Sequence, residues 1–172
     1  NDVATLVIAR EDESPKGMQS FDAHGSPLHW RRRPKVEIHV DKRRKKPKPR
    51  ADLSPFWPGA LVLNERARSA LGEFLGAFGQ LLELDVAGEV EYFYNCTYLV
   101  SCIDRDHSQI RASGIVGKEA FNEAAVPVTP AVFKDPLTAR SKLYVNDAGK
   151  VILEEGIAAH GITGMSFRRA GV

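Results

Sequence analysis

The side chains whose types and spacing could do chemistry fall mostly between residues 102 and 119. Asp104-Arg105-Asp106-His107 offers two carboxylates and an imidazole within one short stretch, a plausible ligand set for a divalent cation. The opposing reading is a solvated turn in which the Asp side chains close Asx-turns on local backbone groups. No further spaced ligands accompany the trio, and the five histidines, at 24, 29, 39, 107 and 160, show no metal-binding spacing, so the turn is favoured. Cys102 near His107 suggests a thiol–imidazole pair, but Cys102 lies in an apolar run, which argues for a buried thiol over an activated one. Gly114-Ile115-Val116-Gly117-Lys118 resembles a phosphate loop but has two residues between its glycines instead of four, and Glu119 where phosphate binding needs Ser or Thr. HExxH, GxSxG and GxGxxG are all missing. The expectation is a protein with no catalytic, cofactor-binding or metal residues, and not an enzyme.

The elements that would position such residues are read from apolar period. Residues 3–9 have a strand's length and composition, and 10–30 is polar, aperiodic loop. Val36, Ile38 and Val40 alternate with Glu37 and His39, the period of a half-exposed strand. Lys45 to Pro58 holds Pro47, Pro49, Pro55 and Pro58 and reads as an extended connector. Leu61-Val62-Leu63 runs into Asn64, a helix N-cap, and Ala67, Leu71, Phe74, Leu75 and Phe78 recur at helical spacing over 65–79. Leu81–Val86 is a strand. Residues 91–103, nearly free of charge on either face, read as a central strand, followed by short strands and loops over 109–142. Leu143-Tyr144-Val145 precedes a second cap, Asn146, and a helix that ends at His160-Gly161, before the strand-like Met165-Ser166-Phe167. LVLNERARSAL (61–71) and LYVNDAGKVIL (143–153) share this strand–Asn–acid–helix order, a hint of a duplicated unit or a coincidence. The fold class is α+β, a mostly antiparallel sheet with about two packed helices, in a single domain over 1–172 that divides into N-terminal strands with a basic connector (1–50) and a better-defined α+β core (51–172).

Composition bounds the rest. A chain of 172 residues, 43% hydrophobic and 27% charged, fits an ordinary globular domain. No apolar stretch is long enough to span a membrane, and no charged–apolar–small signal pattern opens the sequence, so a cytoplasmic protein is expected. Cys96 and Cys102 would sit roughly 20 Å apart if both lie on one strand, too far to bridge, and read as buried reduced thiols. The net charge of +2 conceals an asymmetry: residues 31–50 hold eleven Lys or Arg against Glu37 and Asp41, a balance of +9 that leaves −7 for the other 152 residues.

Several of these pieces together resemble a known family. LVLNER at 61–66, the run YFYNCTYLVSCIDRDHS at 92–108 and the closing GITGMSF at 161–167 resemble the eleventh immunity-protein family of bacterial polymorphic toxin systems, formerly a domain of unknown function. The resemblance covers roughly residues 36–169; that family usually has Ser where this chain has Asn64 and Asn146, and both residue types cap helices. It implies a cognate toxin encoded by a neighbouring gene, often a secretion-system effector, and neutralisation through a stoichiometric complex. It also implies that Asp104 and Ser108 are structural caps.

Two surfaces are candidates for partner contact. The acids Glu83, Asp85, Glu89 and Glu91 around the 84–91 turn, Asp104 with Asp106, and Glu154 with Glu155 would suit a basic toxin such as a nuclease. If 81–86 and 91–103 pair as a hairpin, the first four cluster at one end and the Asp pair lies at the other. The alternative is Lys42, Arg43, Arg44, Lys45 and Lys46, the electrostatic footprint of a nucleic-acid-associated accessory protein, with Trp30, Phe56 and Trp57 to stack on bases. Prolines 47 and 49 favour a solvated connector or toxin-contacting loop over nucleic acid.

Overall fold

Apolar residues at alternate positions build one large sheet, and the computed structural model describes it through residues 3–10, 18–40 and 48–171. Its strands are Leu6–Ile8 (β1), Lys35–Ile38 (β2), Leu53–Ser54 (β3), Leu61–Leu63 (β4), Gly79–Val86 (β5) and Glu89–Cys96 (β6), in the order β1-β2-β5-β6-β4-β3. Only β2 and β5 run parallel. Two helices, Glu65–Gly76 (α1) and Asp147–His160 (α2), pack on one face, so the class is α+β as expected. Two short ribbons complete the chain: Gln109–Ile110 (β7) with Val116–Lys118 (β8), and Val132–Phe133 (β9) with Tyr144–Val145 (β10).

The β5–β6 hairpin shows how the sequence sorts its two faces. Leu82, Leu84 and Val86 share a face with Phe93, while Leu81 shares the other with Tyr94 and Cys96. The connecting Ala87-Gly88 takes positive φ at both residues (53° and 93°), the requirement of a tight hairpin turn, and Asp85 Oδ1 accepts the Gly88 N–H at 2.8 Å. On the Phe93 side the sheet curls nearly shut. The Ala4 N–H donates to the Pro49 carbonyl (2.9 Å) and the Leu6 N–H to the Pro55 carbonyl (3.0 Å), so β1 is bonded along both edges. Phe21, fully buried, fills the enclosed space, with ring centroids of Trp30, Phe56, Trp57 and Phe93 at 5.6, 4.8, 5.8 and 5.6 Å. The opposite face packs Leu63, Tyr94 and Cys96 against Leu71 and Leu75 of α1 and Leu153 of α2.

Several expectations change. The apolar run 91–103 is not one strand: β6 ends at Cys96, the N–H groups of Thr97 and Tyr98 both turn to the Phe78 carbonyl, and the chain then runs alongside β9 through Val100 N–H to Lys134 O (2.8 Å). β6 is nonetheless interior, between β5 and β4. α1 stops at Gly76, short of 79, because Gly79 already begins β5. The proline-rich connector contains β3, and Met165-Ser166-Phe167 forms no strand but packs on the helical side of the core. Cys96 and Cys102 are free and buried, though not on a common strand. Among the described residues no helix is long and apolar enough to cross a membrane.

Both Asn caps form. Asn64 Oδ1 accepts the Ala67 N–H and Asn146 Oδ1 the Gly149 N–H, each at 2.9 Å, and α2 closes on Gly161 in the left-handed conformation (φ 58°). The two units part company beyond this local likeness, since β4 lies inside the large sheet and β10 in a ribbon. Asn146 does more than cap: its amide donates to the carbonyls of Pro127 (2.7 Å) and Thr129 (2.6 Å), and its oxygen also accepts the Ala131 N–H (3.0 Å). Asn146→Ala is therefore expected to cost about 2–3 kcal/mol in a denaturant melt against about 1 kcal/mol for Asn64→Ala. Equal losses would mean that the extra bonds contribute nothing.

Candidate functional site

The turn after Cys102 is built as a cap. Asp104 Oδ1 accepts the N–H groups of Asp106 (3.0 Å) and His107 (3.2 Å), its Oδ2 meets His107 Nδ1 at 2.6 Å, and Ser108 Oγ donates to the Asp104 carbonyl while accepting the Ala120 N–H at 2.9 Å. Asp104 thus spends both oxygens inside its own turn, in the Asx manner expected of it. Hydrogen bonding to His107 holds the Asp104 carboxyl below its ordinary value, and the same bond, with the charge of Asp104, raises the His107 imidazole. Among the described residues no three His, Cys, Asp or Glu side chains are arranged to hold a metal ion. Asp104→Asn is expected to lower the His107 titration point in an NMR pH series, and chelator to leave both the titration and the melting temperature unchanged. A chelator-induced drop of several degrees would instead place a cation on this turn.

Cys102 is not poised as a nucleophile. Burial, then the neighbouring Asp135 carboxylate, push its thiol up to about 11, the opposite of activation. Gly114 to Lys118 forms a tight turn into β8, with the Gly114 N–H on the Arg111 carbonyl at 2.8 Å.

The acidic residues separate on inspection of the register. Leu84 lies opposite Glu91 and Val86 opposite Glu89, so both glutamates sit on the enclosed side of the hairpin, whereas Glu83 and Asp85 lie on the helical side. All four are at one end, as expected, but on two faces. Glu91 is only 7% exposed and ion-paired with Arg50, so it is withdrawn from the surface. Glu83 is exposed and paired with Arg33, and Glu89 is exposed with no ion pair among the described residues. Asp104 and Asp106 follow the opposite end of β6. Glu154 pairs with Lys150 at 3.0 Å, while Glu155 is exposed beside it. Lys42 to Lys46 lie outside the described residues. Trp30, Phe56 and Trp57 are half-buried and pack against the enclosed aromatic core, and Trp30 Nε1 donates to the Ser20 carbonyl at 2.8 Å.

Charged groups that the sequence did not single out occupy the interior. Lys134 is fully buried, and its Nζ donates to the carbonyls of Ala23 and Ala139. Asp135, also buried, receives the N–H groups of Cys102, Ile103 and Leu137, each at 2.8 Å. Glu119 accepts from Lys142 and from the Tyr144 hydroxyl (3.1 Å), and Tyr144 in turn meets Thr138 Oγ1 at 2.9 Å. Burial opposes the charge on Glu119, but Lys142 and Tyr144 prevail and hold the carboxyl below its ordinary value. These groups are consumed by one another and by backbone, and hold the 119–144 segment to the sheet. The one local signal for them is Asp135-Pro136, a turn dipeptide. A groove of about 940 Å³ opens between β10 and residues 166–170.

Compared with known proteins, the chain matches no family model and no curated protein.

Proposed function

We propose that this is an immunity protein that neutralises a cognate bacterial toxin, encoded by a neighbouring gene, by stoichiometric binding in the cytoplasm and without chemistry of its own. The observation that carries the reading is the acidic half of the β5–β6 hairpin nearest its turn, where Glu83, paired with Arg33, and Glu89 are exposed on opposite faces and Asp85 is half-buried between them. The resemblance of 61–66, 92–108 and 161–167 to the immunity family supports the same reading. Exposed acidic side chains accelerate encounter with a basic toxin, and a few desolvated anchors across an interface of roughly 1,600 Å² suffice for nanomolar affinity, about 12 kcal/mol.

Titration of the neighbouring gene's product with this protein should abolish toxicity at one-to-one stoichiometry. The association rate should fall as salt rises, and fall about tenfold at low salt in the combined variant Glu83→Gln, Asp85→Asn, Glu89→Gln, with little change in dissociation. Neutralising Lys42, Arg43, Arg44, Lys45 and Lys46 together should leave protection intact. Protection at clearly substoichiometric amounts would mean turnover and would end the binding model.

A further inference from the structure

β10 offers the edge of a ribbon to the large groove. The Asn146 N–H donates inward to the Ala131 carbonyl (3.2 Å), and strand alternation then turns the N–H and C=O of Val145 to the other side, away from β9. Tyr144 packs on Phe133 and Phe121 and the half-buried Val145 on the helical core, and both line the groove on the side of β10 away from β9. An unpaired edge is a template for one more strand. The groove's charge says what that strand carries. Its carboxylates are Glu123 and Asp147, and Asp147 stands in the first turn of α2, where the backbone N–H groups offset it. Arg168 and Arg169 line the other wall, both exposed and without ion pair or hydrogen bond among the described residues. Val128, 93% exposed at the same groove, adds an apolar contact.

We propose that this groove binds an extended acidic segment of a partner protein, which adds to β10 as a strand and places its carboxylates against Arg168 and Arg169. The proposal stands apart from the acidic hairpin tip, and its test needs only this chain and a synthetic probe. A fluorescein-labelled, end-capped peptide of alternating valine and glutamate should bind saturably in anisotropy titrations, with slowed hydrogen exchange at Val145. Arg168→Glu with Arg169→Glu should weaken it at least about tenfold without lowering the melting temperature, since both side chains are exposed. Val145→Pro should also abolish binding while keeping the β9–β10 pairing, because proline is tolerated where an edge N–H faces outward. Absence of saturable binding, equal binding of the valine–lysine counterpart, or unchanged affinity in the reversed-charge variant would overturn the proposal. Concentration-dependent dimerisation lost in that variant would overturn it in favour of a second copy of this chain.

Discussion

Asp52→Ala is expected to lower the unfolding free energy by about 3 kcal/mol, with a fall in melting temperature of roughly 6–12 °C for a chain of this size. Asp52 is 7% exposed and ties three distant pieces of the chain together. Its Oδ1 accepts from Asn64 Nδ2 (3.0 Å), and its Oδ2 from both the N–H and the hydroxyl of Thr163 (2.8 Å each), with Arg66 at 3.5 Å. Burial raises the carboxyl, but the bonds from Asn64 and Thr163 win and leave it below the ordinary 3.8. The stabilisation is therefore fully present above that value and lost as pH falls through the lower folded one. Removing the carboxylate leaves a Thr163 N–H and an Asn64 amide without that partner, while the Leu53 N–H to Thr163 carbonyl bond still ties β3 to the segment after α2. Paired denaturant melts of wild type and variant should differ at pH 7 and converge in strong acid. A loss under about 1 kcal/mol at pH 7 would show that water replaces the carboxylate without cost.

Lys134 gives an effect of similar size, with stability again rising with pH but in the alkaline range. Burial pushes its amine down from 10.5 to about 8, and Cys96 and then Asp22 offset only part of that. Below pH 8 the amine is charged in both folded and unfolded chains, and the folded state bears a penalty of about 3 kcal/mol. Between 8 and 10.5 the folded protein sheds the proton first, so wild-type stability rises with pH and the penalty is gone above the unfolded value. Lys134→Met keeps the length of the side chain and cannot titrate. The wild-type stability minus that of the variant should grow by about 3 kcal/mol across this window, other titrating groups cancelling in the difference. A difference that stays flat with pH would show that the amine titrates normally.

What could be read in advance was local. Asn64 and Asn146 announce helix starts because a cap needs only its own N-terminal turn, and β5 and β6 announce themselves as apolar runs, although Val90 is exposed and Glu91 buried against the apparent pattern. The end of β6 was hidden because Tyr98, Leu99 and Val100 are as apolar as a strand, although they have left the sheet to run beside Lys134. β3 was hidden for the opposite reason, since prolines flank two residues that pair only through their register with β4. The parallel β2–β5 contact joins residues some fifty positions apart and leaves no periodic trace. Of the acidic candidates, the hairpin tip could be foreseen as a cluster, but the withdrawal of Glu91 depends on Arg50, forty-one positions away. Lys134, Asp135 and Glu119 look like surface residues to any composition rule, and only the tertiary partners that satisfy them reveal otherwise.

The near-closure of the large sheet also carries an expectation about the order of folding. The β5–β6 hairpin turns on two residues and can form within about ten microseconds, as can the helices on its flank. The bonds from Ala4 to Pro49 and from Leu6 to Pro55 span more than forty positions, and those between Asp52 and Thr163 span 111. Loops of that length repay their closure entropy only once the partners are already held in place. Chain collapse is therefore expected to proceed outward from the hairpin, with the Asp52–Thr163 bonds closing last and β1 zipping the seam before them. Until β1 does so, the Phe21 side chain has no enclosure to fill, and the exposed edges of β1 and β3 are the surfaces through which an unfinished molecule would aggregate.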